Sequence, residues 1–290
     1  MKFAVDFPNF GAFGDPQRFA AVARLAEESG WDGLFIWDHI NRPYHVKAYD
    51  PWIALAAAAM ETERIRIGTM ITPLARRRPW VLARQTVSLD HLSRGRFILG
   101  AGLGSPGGRE VEWEAFGEEL DLRRRAKMLD EGLAIIAGLW SGEPFEFQGE
   151  CYQVARSQFV PAPLQRPRIP IWIGGTWPNK APFRRAAKWD GVIPDLDRAS
   201  GKRIETFQEA VSFTSRLHKG ERALEAVFIA DPIPAASRGE QVAAAQEAQN
   251  AGATWWLADL SPTKFGGAWA EPWPDTLMLG YVKKGPPRSR

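Results

Sequence analysis

Short runs of apolar, often β-branched residues alternate with stretches of helical periodicity along almost the whole chain. The runs predict strands at Lys2–Phe7, Gly33–Trp37, Ile65–Ile71, Arg96–Ala101, Ile169–Ile173, Gly191–Pro194, Ala226–Ala230 and Thr254–Ala258. Most are continuously apolar, as in Leu34-Phe35-Ile36-Trp37 and Ile171-Trp172-Ile173, which suits strands of a parallel sheet covered on both faces. The segments between them carry helix punctuation. Asp15-Pro16 and Asp50-Pro51 each place a capping side chain before a proline at the first helical position. Phe19, Val22, Ala23 and Ala26 form an i, i+3, i+4, i+7 stripe that ends at Gly30. Ser237 and Glu240 have capping-box spacing before a helix that Gly252 would close.

Eight βα units result, with no linker dividing them. Right-handed crossovers make successive strands parallel, and an open sheet of this kind would place a dinucleotide fingerprint after its first strand. Phe7-Pro8-Asn9-Phe10-Gly11 is not one. The expectation is therefore an α/β fold, a single-domain (β/α)8 TIM barrel over residues 1–282. Two insertions interrupt it: an excursion at Ser105–Leu120 after strand four, and a hairpin at Phe145–Tyr152 after helix four. Residues 283–290 read as a basic, frayed C-terminal tail.

Composition narrows the function classes. At 290 residues, 45% hydrophobic and 24% charged, the chain can bury one large core. A net charge of +3 is too small to imply a nucleic-acid or membrane partner. No apolar run approaches the roughly 20 residues of a membrane span, and the N-terminus lacks a signal-peptide pattern, so a cytoplasmic location is expected. The single cysteine, Cys151, excludes an intramolecular disulfide. Thirteen tryptophans stand beside 16 phenylalanines, a supply of rigid apolar surface for either a ligand pocket or a barrel core.

Catalytic groups of such barrels sit at the C-terminal ends of the strands. His39 follows strand two there, beside Asp38, and its imidazole titrates near neutrality, which suits acid–base work. A metal site from His39, His45 and Asp50 matches no ligand spacing, and none is expected. His91 and His218 fall in helical patterns as packing or surface residues. Strand three ends in Thr69-Met70-Ile71-Thr72, hydroxyls at both ends of an apolar tip, followed by Arg76-Arg77-Arg78. That charge run reads as a solvated face first, and as an anion-binding rim second. The glycine-rich stretch Gly100–Gly108 after strand four lets backbone approach a ligand. Gly174-Gly175-Thr176-Trp177, before a helix from about Asn179, suits a phosphate.

These residues have a familiar arrangement. Gly30-Trp31-Asp32-Gly33-Leu34-Phe35-Ile36-Trp37-Asp38-His39 resembles the second strand of the bacterial luciferase-like superfamily. Arg64–Thr69, Leu92–Gly102 and Pro170–Gly175 extend the resemblance in order. It implies FMN monooxygenases or F420 oxidoreductases on a (β/α)8 barrel. It makes His39 the catalytic histidine and places Asp38 near the cofactor ring. The Thr69-Met70 region would be a bulge, with a non-prolyl cis peptide, backing that ring. Gly102 and Gly104 would flank the ring or ribityl chain, while Gly174, Gly175 and Thr176, with Trp177 beside them, would hold the phosphate. Several deazaflavin members carry a glutamate just after the strand-four glycines; here Ser105-Pro106 follows, leaving Glu110, Glu112 or Glu114 for that role.

The leading expectation is a monooxygenase that uses FMN, reduced by a separate flavin reductase, and O₂ on a small organic substrate. Trp37, Trp52, Trp172 and Trp177 would supply a dry wall. The alternatives are F420-dependent hydride transfer and a flavin-binding barrel without turnover. The resemblance further implies a homodimer through barrel helices.

Overall fold

The computed structural model describes residues 1–41, 46–104, 109–197, 201–232 and 236–288. Among these, eight parallel strands follow in chain order: β1 (Lys2–Phe7), β2 (Gly33–Ile36), β3 (Arg66–Thr69), β4 (Phe97–Gly102), β5 (Ile171–Thr176), β6 (Gly191–Asp195), β7 (Glu225–Ala230) and β8 (Trp255–Asp259). Each pairs with the next, and β8 returns to β1 with Lys2 opposite Trp255 and Asp6 opposite Asp259. The sheet is a closed barrel, as the alternation predicts. The principal helices of the outer ring are α1 (Pro16–Glu28), α2 (Pro51–Glu61), α3 (Pro79–Leu92), α4 (Leu122–Trp140), α5 (Lys180–Ala186), α6 (Arg203–Leu217), α7 (Arg238–Asn250) and α8 (Asp275–Lys284).

Alternation along each strand builds two cores. Ala4, Phe35, Ile98, Trp172, Val227 and Trp255 fill the barrel interior, while Phe3, Val5, Phe7, Leu34 and Ile36 pack outward beneath the helices. The glycines of β3 and β4 let these strands close up. A Cβ on Gly100 would stand 2.1 Å from the Thr69 carbonyl oxygen, and one on Gly68 2.3 Å from that of Ile98. Helix starts are capped as read: Asp15 accepts from Gln17 and Arg18, Asp50 from Trp52 and Ile53, and Ser237 with Glu240 closes a capping box.

Two sequence expectations shift. The hairpin pairs Phe145–Gln148 with Gln153–Ser157, so it starts where its pattern places it and its second strand runs beyond Tyr152 to Ser157. Its turn is organised by the Glu131 carboxylate, which accepts from the backbone of Glu150, Cys151 and Tyr152. The tail is not frayed through its described length. Lys283 and Lys284 finish α8, Gly285 to Pro287 are buried, and Arg288 donates to Asp32 at 2.7 Å. The first four residues of the Ser105–Leu120 excursion, 105–108, lie outside the described residues; Arg109–Glu112 form one helical turn and Glu114–Phe116 a 3₁₀ turn.

At the N-terminal pole of the barrel, Arg96 ties three segments together. Its buried guanidinium donates to the carbonyls of Ser93, Ala59, Thr62 and Ile65 and to the Thr62 hydroxyl, at 2.7 to 2.9 Å. A side chain that removes these donors leaves buried acceptors without partners. Arg96→Met is expected to lower the unfolding free energy by about 3 kcal/mol, read from urea denaturation at neutral pH. A loss below about 1 kcal/mol would show that water replaces the guanidinium there.

Candidate active site

A cavity of about 470 Å³ opens at the C-terminal pole of the barrel, within the size range of small-molecule sites. Met70, Ile71 and Ile193 line it on apolar sides, and Gly104 after β4 and Gly174-Gly175 within β5 present bare backbone to it. Asp6, Trp37, Asp38 and His39 lie along another edge, with Thr176, Arg185, Asp195 and Asp259 completing the polar part. The strand-three bulge is present, and the Met70–Ile71 peptide within it is cis. A larger groove of about 790 Å³ lies on the outside, between α5 and α6, away from His39.

His39 is fixed on every side. The buried Asn9 amide donates to the His39 carbonyl at 2.8 Å, and its oxygen accepts from the His39 N–H at 3.2 Å. The imidazole packs beside Phe10 and Trp37, with ring centroids 5.2 and 5.8 Å away, and Trp269 meets both of those rings, edge-on at Phe10 and tilted at Trp37. Its Nδ1 lies 2.8 Å from the Glu112 carboxylate. Glu112 arrives from the helical turn after β4, and the next residue, Trp113, anchors that turn. The Trp113 indole is buried between the guanidinium groups of Arg76 and Arg125, at 5.2 and 3.5 Å from its centroid.

The arginine run is consumed internally, which corrects the expectation of a solvated face or an anion rim for Arg76 and Arg77. Arg77 donates to both oxygens of Asp38, at 2.9 and 2.7 Å. Arg76 donates to Glu112 at 3.1 Å and to the Asp38 carbonyl at 2.6 Å. Arg78 alone of the three is exposed. Although burial pushes the Glu112 carboxyl up, the hydrogen bond and charge of His39 and the Arg76 guanidinium outweigh it and hold the group below the usual 4.5. The carboxylate therefore stays ionised beside the imidazole.

The structure brings His39, Asp38, Met70, Gly104, Gly174, Gly175 and Thr176 to one cavity. Other expected residues stand elsewhere. Thr69 is fully buried, with its hydroxyl donating to the Gly100 carbonyl, and Gly102 is packed against Ile71 rather than opening onto the cavity. Trp177 turns outward, packing on Phe183 and Phe213 beneath the Lys180 ammonium. Of the four tryptophans expected to wall the site, only Trp37 does so; Trp52 packs at a tilt on Phe97, and Trp172 lies in the barrel interior against Phe35. Asp50 is a helix cap and His45 lies outside the described residues, while among the described residues no group of three His, Cys, Asp or Glu is placed to hold a metal. Asn9 was not singled out by its sequence position. The excess of arginine directly after an apolar strand tip was the available signal for buried ion pairs.

The cavity fits a flat, phosphorylated ring system. Gly104 and Gly174 face it with bare backbone, and a Cβ at either would collide with the protein itself, with Trp113 and Pro73 at Gly104 and with Ile71 at Gly174. The Arg185 guanidinium, steadied by Asp130 at 2.5 and 2.9 Å, is a donor for an anionic end, while the Thr176 hydroxyl beside it donates to Asp195 at 3.4 Å.

Comparison with known proteins agrees with this geometry. The sequence model of the luciferase-like monooxygenase family matches residues 3–268. An F420-dependent glucose-6-phosphate dehydrogenase of Gordonia bronchialis is 30% identical over 223 residues, 73% of this chain and 62% of that protein. An F420-dependent secondary alcohol dehydrogenase superposes with a TM-score of 0.73 at 16% identity, covering 89% of this chain and 93% of that one. The FMN-bound oxygenating constituent of 3,6-diketocamphane monooxygenase from Pseudomonas putida superposes with 0.62 at 20% identity, covering 85% and 71%. The two superpositions establish the shared barrel.

Because the folded-state Glu112 carboxyl titrates below its usual value, its contribution to stability is complete above pH 4.5 and disappears as pH falls through the folded-state value. Glu112→Gln is expected to be less stable than the natural protein by about 2 kcal/mol at pH 7, with the gap closing on acidification below pH 4.5. Denaturant unfolding at the two pH values measures it; a gap that does not depend on pH would mean that Glu112 is not ionised in the folded protein.

Proposed function

Because the chain belongs to the luciferase-like monooxygenase family, whose model spans residues 3–268, we propose that it is an oxidoreductase of that family working with the deazaflavin F420 on a small hydroxyl- or carbonyl-bearing substrate. The observation that carries this reading is the His39–Glu112 pair at the cavity, a proton acceptor backed by a buried carboxylate. When bound, the deazaflavin supplies a carbon that accepts or returns a hydride.

Gly104, Gly174 and Gly175 would leave room for the ring, and Thr176 with Arg185 would hold its phosphate. His39 receives the hydroxyl proton as the carbon–hydrogen bond of an alcohol is broken, and returns it in the reductive direction. With Nδ1 on Glu112, that exchange falls to Nε2, and the ionised carboxylate stabilises the imidazolium while the proton resides there. Trp37, Met70 and Ile193 exclude water from the exchange.

The F420-dependent relative from Gordonia bronchialis supports this order of preference over FMN with O₂, the leading expectation from the sequence. An FMN monooxygenase remains the second reading, supported by the FMN-bound neighbour on the same barrel. A flavin-binding barrel without turnover gives no use for the His39–Glu112 pair.

Titration of the purified protein with each cofactor separates these readings. Micromolar affinity for F420 and none for FMN is expected, with bleaching of bound F420 when secondary alcohols are added. His39→Gln should leave F420 affinity unchanged and lower kcat by about 100-fold or more. Tight FMN binding without F420 binding would transfer the assignment to the monooxygenase reading.

A further inference from the structure

Behind His39 stand two carboxylate–guanidinium pairs, buried except for the half-buried Arg77, and the two arginines differ in what they touch. Arg77 closes a bidentate pair with Asp38 and lies over Trp52. Arg76 has a side chain only 2% exposed, stands behind Glu112 rather than in the cavity wall, and reaches both Glu112 and the main chain of Asp38. It thus joins the loop after β2, which carries His39, to the turn after β4, which carries Glu112.

We propose that Arg76 is a positioning residue that acts on His39 through Glu112, fixing the place and charge of the carboxylate so that the resting imidazole is neutral with Nδ1 on Glu112. The catalytic meaning of this assignment rests on the reading of His39 given above; the electrostatic relation does not. Among the described residues, the groups that face His39 include Glu112 from the turn after β4, Arg76 from the loop after β3, Asp38 with its partner Arg77, and Asp6 of β1 through the Trp37 indole. Glu118 is further out and senses Arg76 and Arg78.

Asp38 balances Arg77, and Glu112 balances Arg76. An uncharged imidazole then leaves the buried pairs neutral overall, which is the cheapest state away from water. Without Arg76, a single uncompensated negative charge would sit at 2.8 Å from Nδ1, and His39 would retain its proton to higher pH. A base that is already protonated cannot take the hydroxyl proton. The guanidinium therefore holds the base in its receptive form.

The chain has four histidines, so the imidazole signals of uniformly ¹⁵N-labelled protein can be counted and His39 identified by its loss in His39→Gln. Long-range ¹H–¹⁵N spectra across pH report its titration midpoint and tautomer with no cofactor present. In Arg76→Met the His39 midpoint is expected to rise by about one pH unit or more, and in Arg76→Lys to return most of the way. In Arg78→Met, where an exposed cation is removed, it should match the natural protein. An unchanged midpoint in folded Arg76→Met overturns the proposal. Should that variant fail to fold, Glu112→Gln decides: a lowered midpoint supports transmission through the carboxylate, and an unaltered one sinks it. Because this readout needs no bound cofactor, its failure is distinguishable from an error in the F420 assignment.

Discussion

A carboxylate taken out of water at the barrel mouth keeps its charge only if donors converge on it, and Glu112 draws in the loops that follow three different strands. The backbone N–H of Ile40 comes from the loop after β2, the Arg76 guanidinium from the loop after β3, and Glu112 itself from the turn after β4. His39 is the remaining partner. Losing either member of the Glu112–Arg76 pair leaves the other charge uncompensated, and losing a neutral donor weakens its hold, so the interaction acts as a joint constraint on all three loops rather than as a sum of pairs. Trp113, clamped between two guanidinium groups, gives the turn after β4 its purchase on the barrel.

The barrel makes that convergence possible at low cost. Parallel strands in register deliver their C-terminal loops to one rim, so residues far apart in the chain become neighbours without a dedicated scaffold. The same register sets Asp6 of β1 directly beside Asp259 of β8, and both line the cavity. Apolar interior side chains, Trp172 and Trp255 among them, fill the space below. The cavity is thus a feature of the loops and strand tips.

Much of this was legible in the sequence because backbone-level signals are local. Continuous apolar runs mark two-sided burial, and Asp-Pro pairs or Ser-Arg-Gly-Glu mark helix starts, each within a few residues of its effect. His39 could be placed by the same logic, since a strand end fixes its position in the barrel. Side-chain partners are a different matter. Arg76 and Arg77 look like solvent-facing charge until the turn after β4 folds over them, and the fate of a tryptophan depends on which face of its strand or helix it occupies. Trp37 reaches the cavity while Trp172 points into the barrel. Glu112 could be only one of three candidates, because the Ser105–Leu120 excursion has no periodicity that aims one carboxylate inward.

At the opposite pole the last described residue, Arg288, reaches across to Asp32, which also accepts the backbone N–H of Phe3. One acidic side chain thereby latches the segments at Phe3 and Arg288 to the start of β2. The barrel is buckled at this pole and left open to chemistry at the other. Loop exchange at the rim and substitution of Asp32 are consequently independent engineering problems, and only the second disturbs the latch.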